Sequence, residues 1–112
     1  MKIVFAGNNL RAIKCLNYLI KKKINVILAI GHPKKKTDSK YYSSIKNISK
    51  KEKLNYINPN SLNNNSILNK LDKLKPDLMI LVGYSACILK KEIYNIPKYG
   101  TINLHASLLP RY

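Results

Sequence analysis

Acidic residues are scarce in this 112-residue chain: five Asp and Glu stand against 21 Lys and Arg, a formal charge of +16. That imbalance excludes an acidic face built for cationic partners and is permissive of a polyanion such as RNA. Arginine is scarce too, with Arg11 and Arg111 alone, so the excess is Lys, which lacks the planar bidentate fork that nucleic-acid faces use. Asn, Ile and Tyr are in surplus along the whole chain, and the lysines read first as a solvated surface of biased composition. Trp is absent, and the two cysteines, Cys15 and Cys87, form no CxxC pair and have no His at metal-site spacing. They read as buried free thiols, with no metal expected. The sequence lacks GxGxxG, which removes the main support for a nicotinamide-dinucleotide enzyme. It also lacks a signal-peptide pattern and a membrane-length apolar run, so the expectation is a cytoplasmic protein without a membrane partner. Its length allows one domain, residues 1–112, with one modest core.

What is present follows an α/β plan. Lys2 to Ala6 is a short apolar run ending at Gly7, and it reads as a buried strand. Leu10, Ile13, Leu16, Leu19 and Ile20 recur at helical spacing, with Asn8 or Asn9 available as a cap and Lys21 to Lys23 at the C-terminal end, where the helix dipole favours cations. Asn25 to Ile30 reads as a second strand and closes a βαβ unit. The basic stretch from Gly31 to Ser44 reads as a surface loop. Ile45, Ile48 and Leu54 give weak helical spacing, and Asn55 to Ile57 predicts a short edge strand. Asn63-Asn64-Asn65 reads as a turn before a helix carrying Ile67, Leu68, Leu71 and Leu74, which Pro76 ends. Leu78 to Gly83 reads as a central parallel strand buried on both faces, with Tyr84 to Leu89 at its C-terminal rim, where open α/β sheets bind ligands. After a short helical piece over Lys90 to Tyr94, Thr101 to His105 predicts another strand.

On that last strand, residues i and i+2 share a face, so Asn103 and His105 point together while Ile102 and Leu104 pack on the other side. An amide and an imidazole on one face are a plausible donor pair for a carbonyl oxygen that gains negative charge during acyl transfer. Spacing alone also fits two structural hydrogen-bonding residues.

The run Asn103-Leu104-His105-Ala106-Ser107-Leu108-Leu109-Pro110 resembles the catalytic segment of the formyltetrahydrofolate-dependent formyltransferase family. The opening Lys2 to Gly7, the Pro76-Asp77-Leu78 triplet and Ile88-Leu89-Lys90-Lys91-Glu92-Ile93 leading to Ile96-Pro97 match the family in order and spacing. The resemblance implies a Rossmann-like, mostly parallel sheet flanked by helices. It also implies 10-formyltetrahydrofolate as formyl donor, a primary amine as acceptor, and Asn103 and His105 as catalytic residues that hold the oxyanion. Backbone groups around Ser85, Ala86, Cys87, Ile88 and Leu89, with Ser107, Leu108, Leu109 and Pro110 nearby, are implied to bind the folate. Gly7, Asn8, Asn9 and His32 are candidate substrate contacts, beside the plainer readings of a capped turn and an inert surface histidine.

The segment from His105 to Tyr112 is most like the methionyl-tRNA branch of the family, which makes initiator tRNA the expected acceptor and an amino-sugar nucleotide the alternative. Lys34-Lys35-Lys36 stands where tRNA-using members carry a basic substrate loop, without their Gly- and Arg-containing pattern. Family members also use an Asp beyond the motif to orient the His, whereas Asp38, Asp72 and Asp77 all precede it. The 112 residues are therefore expected to be an incomplete N-terminal catalytic domain. A catalytically incomplete binding module and a basic RNA-binding domain unrelated to folate are the other readings.

Overall fold

The continuous apolar runs become strands and the runs of helical spacing become helices that cover them. The computed structural model describes residues 1–7, 10–31, 44–59, 63–82 and 91–104. In chain order these are β1 (Ile3–Gly7), α1 (Leu10–Lys21), β2 (Val26–Ile30), α2 (Ser44–Lys51), β3 (Tyr56–Ile57), α3 (Asn65–Leu74), β4 (Leu78–Val82), α4 (Lys91–Tyr94) and β5 (Thr101–Leu104). The strands form one sheet in the order β3-β2-β1-β4-β5, and all four pairings are parallel. The expected Rossmann-like α/β architecture is therefore present.

Two core clusters show how the helices divide. Phe5, Ala12, Leu16, Val26, Ala29, Ile45 and Val82 join α1 and α2 to one face of the sheet. Val4, Ala6, Leu28, Ile30, Ile67, Leu71, Met79, Leu81 and Ile93 join α3 and α4 to the other. Successive crossovers of one hand explain the division, because the chain winds outward from β1 to β3 and then returns past β1 to β4 and β5.

Several expectations shift in detail. The strand buried at every position is β1, while Leu78 and Ile80 of β4 are half-buried. Leu10 starts α1 and is 42% exposed, and the fully buried positions of that helix are Ala12 and Leu16. Asn64 is a working N-cap rather than part of a featureless turn: its side-chain oxygen accepts from the Ile67 N–H at 2.9 Å, and Asn65 already belongs to the helix. Ile102 and Leu104 were expected to pack inward, yet they are 46% and 47% exposed. They pair with Ile80 and Val82 and so share the α1/α2 face. Their strand is the sheet's edge, and α1 and α2 lie over β1, β2, β3 and β4. Cys15 is a free, half-buried thiol whose pKa is raised by desolvation, which disfavours the reactive thiolate. Cys87, Asn8 and Asn9 lie outside the described residues.

The lower end of the sheet is tied together by Asp77. Its carboxylate accepts the Lys2 N–H at 2.7 Å, its own N–H donates to the Lys2 carbonyl at 2.8 Å, and its carbonyl accepts from Tyr99 N–H at 2.7 Å. The segment entering β4 thus holds the segments entering β1 and β5. At the upper end, Gly7 permits a close approach: a Cβ there would stand 2.6 Å from both the Ala12 Cβ and the Val82 carbonyl oxygen. Helix termini carry a small strain, since Lys23, Lys53 and Lys75 all adopt positive φ after α1, α2 and α3, in the left-handed region that glycine occupies without steric cost.

Three stability measurements test these contacts in the full-length protein. Asp77→Ala leaves the Lys2 N–H without its acceptor and should cost about 1–3 kcal/mol, with Asp77→Asn losing less, read as a shift of the urea midpoint at constant slope. Gly7→Ala forces helix and strand apart and should cost about 1–3 kcal/mol by the same measurement. Lys75→Gly should do the opposite, raising stability by about 0.5–1 kcal/mol through relief of the left-handed strain.

Candidate functional site

A parallel sheet aligns the C-terminal ends of its strands along one rim, and a change of winding direction opens a crevice there. In this chain the change falls between β1 and β4, the neighbouring strands whose following segments leave on opposite faces. Gly7 ends β1 at the register of Val82, and Val82 is at the register of Leu104, so these three mark the rim across the crevice and the edge strand. Gly7 is the residue that lets the start of α1 sit tightly against that rim.

Asn103 stands one residue below this row, opposite Leu81, and it is exposed. Leu81 belongs to the core under α3 and α4, so Asn103 projects on that side of the sheet. Strand spacing separates the β5 backbone from the Gly7 backbone by roughly 10 Å, two strand intervals. Thr101, two residues earlier on the same face, donates its hydroxyl to the Tyr94 carbonyl at 2.9 Å. That bond ties β5 to the end of α4 and fixes the strand that carries Asn103.

Among the residues expected to form the site, Gly7 and Asn103 fall in the described part of the chain. His105, Ser85, Ala86, Cys87, Ile88, Leu89, Ser107, Leu108, Leu109, Pro110, Asn8, Asn9 and His32 lie outside it. In sequence, each of those belongs to the segment that follows the C-terminal end of a strand: Asn8 and Asn9 after β1, His32 after β2, Ser85 to Leu89 after β4, and His105 to Pro110 after β5. Every expected site residue thus belongs to a strand end or to the segment after one.

On the α3/α4 side a separate hollow of about 130 Å³ is lined by Asn63, Asn64, Asn65, Leu68, Glu92 and Ile93. It gathers none of the expected residues. No sequence pattern points to it, because it arises where the capped start of α3 meets the start of α4, which are far apart in the chain. At the end of β2, Tyr56 from the edge strand lies over Gly31, in the space a side chain at Gly31 would need. That contact was likewise missed, and Gly31 after a strand was the available signal. Among the described residues, no helix is long and apolar enough to cross a membrane.

This arrangement can be compared with known proteins. A family model described as "Formyl transferase" matches residues 1–112. A methionyl-tRNA formyltransferase of Fusobacterium nucleatum is 35% identical over 114 residues, covering 100% of this chain and 36% of the relative. One from Clostridium tetani is 42% identical, with 100% and 37% covered, and one from Prochlorococcus marinus is 39% identical, with 100% and 35% covered. The chain therefore spans about a third of the length of the curated relatives it matches. A match through every residue, on a parallel sheet whose rim carries Asn103 beside the winding reversal, leads to one conclusion: the chain belongs to the formyl transferase family.

Proposed function

We propose that the protein transfers the formyl group of 10-formyltetrahydrofolate to the primary amine of methionyl-tRNA. The observation that carries this reading is Asn103, an exposed amide on the edge strand at the rim, in a chain that matches the family throughout. The acceptor follows from the relatives, which bear the name methionyl-tRNA formyltransferase. An amino-sugar nucleotide is the competing acceptor.

The chemistry is an acyl transfer. The acceptor amine attacks the formyl carbon, and the carbonyl oxygen takes the electron pair as the tetrahedral intermediate forms. The Asn103 amide N–H donates to that oxygen, and a donor aimed at developing charge stabilises the transition state more than the ground state. His105, two residues on, is the second donor and the group suited to move the proton that the amine loses. Collapse breaks the bond between the formyl carbon and the folate nitrogen, which leaves with a proton as tetrahydrofolate. The folate lies along the segment from Ser85 to Leu89 with Ser107 to Pro110 beside it, and Gly7, Asn8, Asn9 and His32 border the acceptor. The exposure of Asn103 supports this division of labour, since its amide is not committed to the core.

The test is a formylation assay on the full-length protein with labelled 10-formyltetrahydrofolate, offering methionyl-tRNA and an amino-sugar nucleotide in parallel. Label is expected in methionyl-tRNA, and its absence from both acceptors would sink the proposal. Asn103→Ala should lower kcat about a hundredfold with the urea midpoint unchanged, because an exposed side chain supports little packing. An unchanged rate would reduce Asn103 to a structural residue.

A further inference from the structure

Gly7 and Gly31 end neighbouring strands on one face of the rim. Ala6 pairs with Ile30, and the next step along β1 and β2 sets Gly7 beside Gly31. Two residues below them stand Phe5 and Ala29, which belong to the core under α1 and α2, so a side chain at either glycine would project to that face. At Gly7 its place is taken by the Ala12 Cβ and the Val82 carbonyl, which seat α1 on the strand. At Gly31 the occupant is a polar group. A Cβ there would stand 3.1 and 3.3 Å from the Tyr56 ring carbons Cζ and Cε1, and closer still to the Tyr56 hydroxyl.

Tyr56 reaches this point from below. Its backbone pairs with Ala29, two residues before Gly31, so the side chain climbs roughly 6.6 Å toward the rim. It is half-buried and packs against the α1/α2 core, while its hydroxyl arrives at the end of β2. Covering the sheet does not require this arrangement. Phe would shield the same backbone, and an ordinary side chain at position 31 would do so without the conformational entropy that glycine loses on folding. What Gly31 and Tyr56 achieve together is the delivery of a phenol to the rim. A phenol has one donor and acceptor lone pairs, so it can serve a bound group alongside a protein partner.

Its place decides which group it meets. Three strand intervals separate β2 from β5, so Tyr56 acts roughly 14 Å along the rim from the strand that carries Asn103. That is too far to touch the reacting atoms. Gly31 directly precedes His32 and neighbours Gly7, both assigned above to the acceptor side of the reaction. An aminoacylated tRNA end and an amino-sugar nucleotide share one feature there, since each carries a ribose and phosphate beyond its reacting amine. We propose, resting on the formyl-transfer function proposed above, that the Tyr56 hydroxyl is an acceptor-binding group that hydrogen-bonds a ribose hydroxyl or phosphate oxygen. It contributes to binding the acceptor and leaves the chemical step to Asn103.

The experiment is calorimetry on the full-length protein without folate, so that no acceptor turns over. The ligands are 3′-methionylamido-adenosine 5′-phosphate, which represents the aminoacyl end of the tRNA, and an amino-sugar nucleotide. Tyr56→Phe should weaken whichever ligand binds by about five- to tenfold, the effect of one lost hydrogen bond to a polar or charged group. Gly31→Ala displaces the phenol without removing it and should weaken the same ligand at least as much. In turnover, Tyr56→Phe should raise the acceptor KM by that factor and leave kcat and the folate KM within about twofold, a split that a packing role does not produce. Affinity retained within about twofold in Tyr56→Phe overturns the proposal, and so does a wild-type protein that binds neither ligand. The ligand that loses affinity identifies the source of the ribose or phosphate. Because the calorimetry needs no donor, ligand binding that depends on Tyr56 upholds this contact even where the formylation assay fails.

Discussion

The pairing of Asp77 with Lys2 is the constraint on which the rest of the sheet depends. Reciprocal hydrogen bonds at 2.7 and 2.8 Å bring the start of β1 against the start of β4, and the Asp77 carbonyl takes in the turn that begins β5. The Lys2 ammonium extends the same knot to the end of α3, donating to the Leu74 carbonyl at 3.2 Å. Register set at this end is carried to the rim along the β1/β4 and β4/β5 pairings, which run without a shift, whereas the β1/β2 pairing slips by one residue between Ile3 and Val4. A slip of one residue in β5 would exchange the faces of Ile102 and Asn103 and turn the amide away from its side of the rim. The residue that settles where Asn103 points is therefore at the opposite end of the sheet from the rim.

The rim has its own requirement. Where the winding direction reverses, β1 and β4 are neighbours whose following helices pack on opposite faces, and the first of these helices must sit close to the strand ends. Gly7 meets this by absence of a side chain: it is buried, with Ala12 and the Val82 carbonyl closed in around it. The close seat of α1 against the rim is a consequence of one missing Cβ. This gives Gly7 a structural duty that stands whether or not a substrate touches it.

Much of this was legible in the sequence. Short apolar runs at Ile3–Gly7, Val26–Ile30 and Leu78–Val82 identified the strands to within a residue or so, and the edge strand at Tyr56–Ile57 was legible as a short strand over Asn55 to Ile57 ahead of Pro59. The misses share a cause. Ile102 and Leu104 have the pattern of packed residues, but burial depends on what lies over a strand, and an edge position is a property of sheet order that local sequence does not encode. Ala12 was overlooked because its small side chain contributes little to a hydrophobic pattern, although it is what fits against Gly7. The place of Asn103 on its strand face was legible, since alternation on a strand is short-range. His32 and the segments after β4 and β5 rested on resemblance, and they lie outside the described residues.

Sheet order also explains why the basic helical layer and Asn103 occupy different sides. Crossovers of one hand commit α1 and α2, which connect β1 to β2 and β2 to β3, to one face. The return past β1 commits α3 and α4 to the other, and the register of β5 puts Asn103 there. The exposed cations of α1 and α2 therefore act from the opposite side of the sheet, and their fields reach only about 8 Å at physiological salt. The basic layer is thereby kept apart from Asn103, and the topology that separates them is the one that Asp77 holds in register.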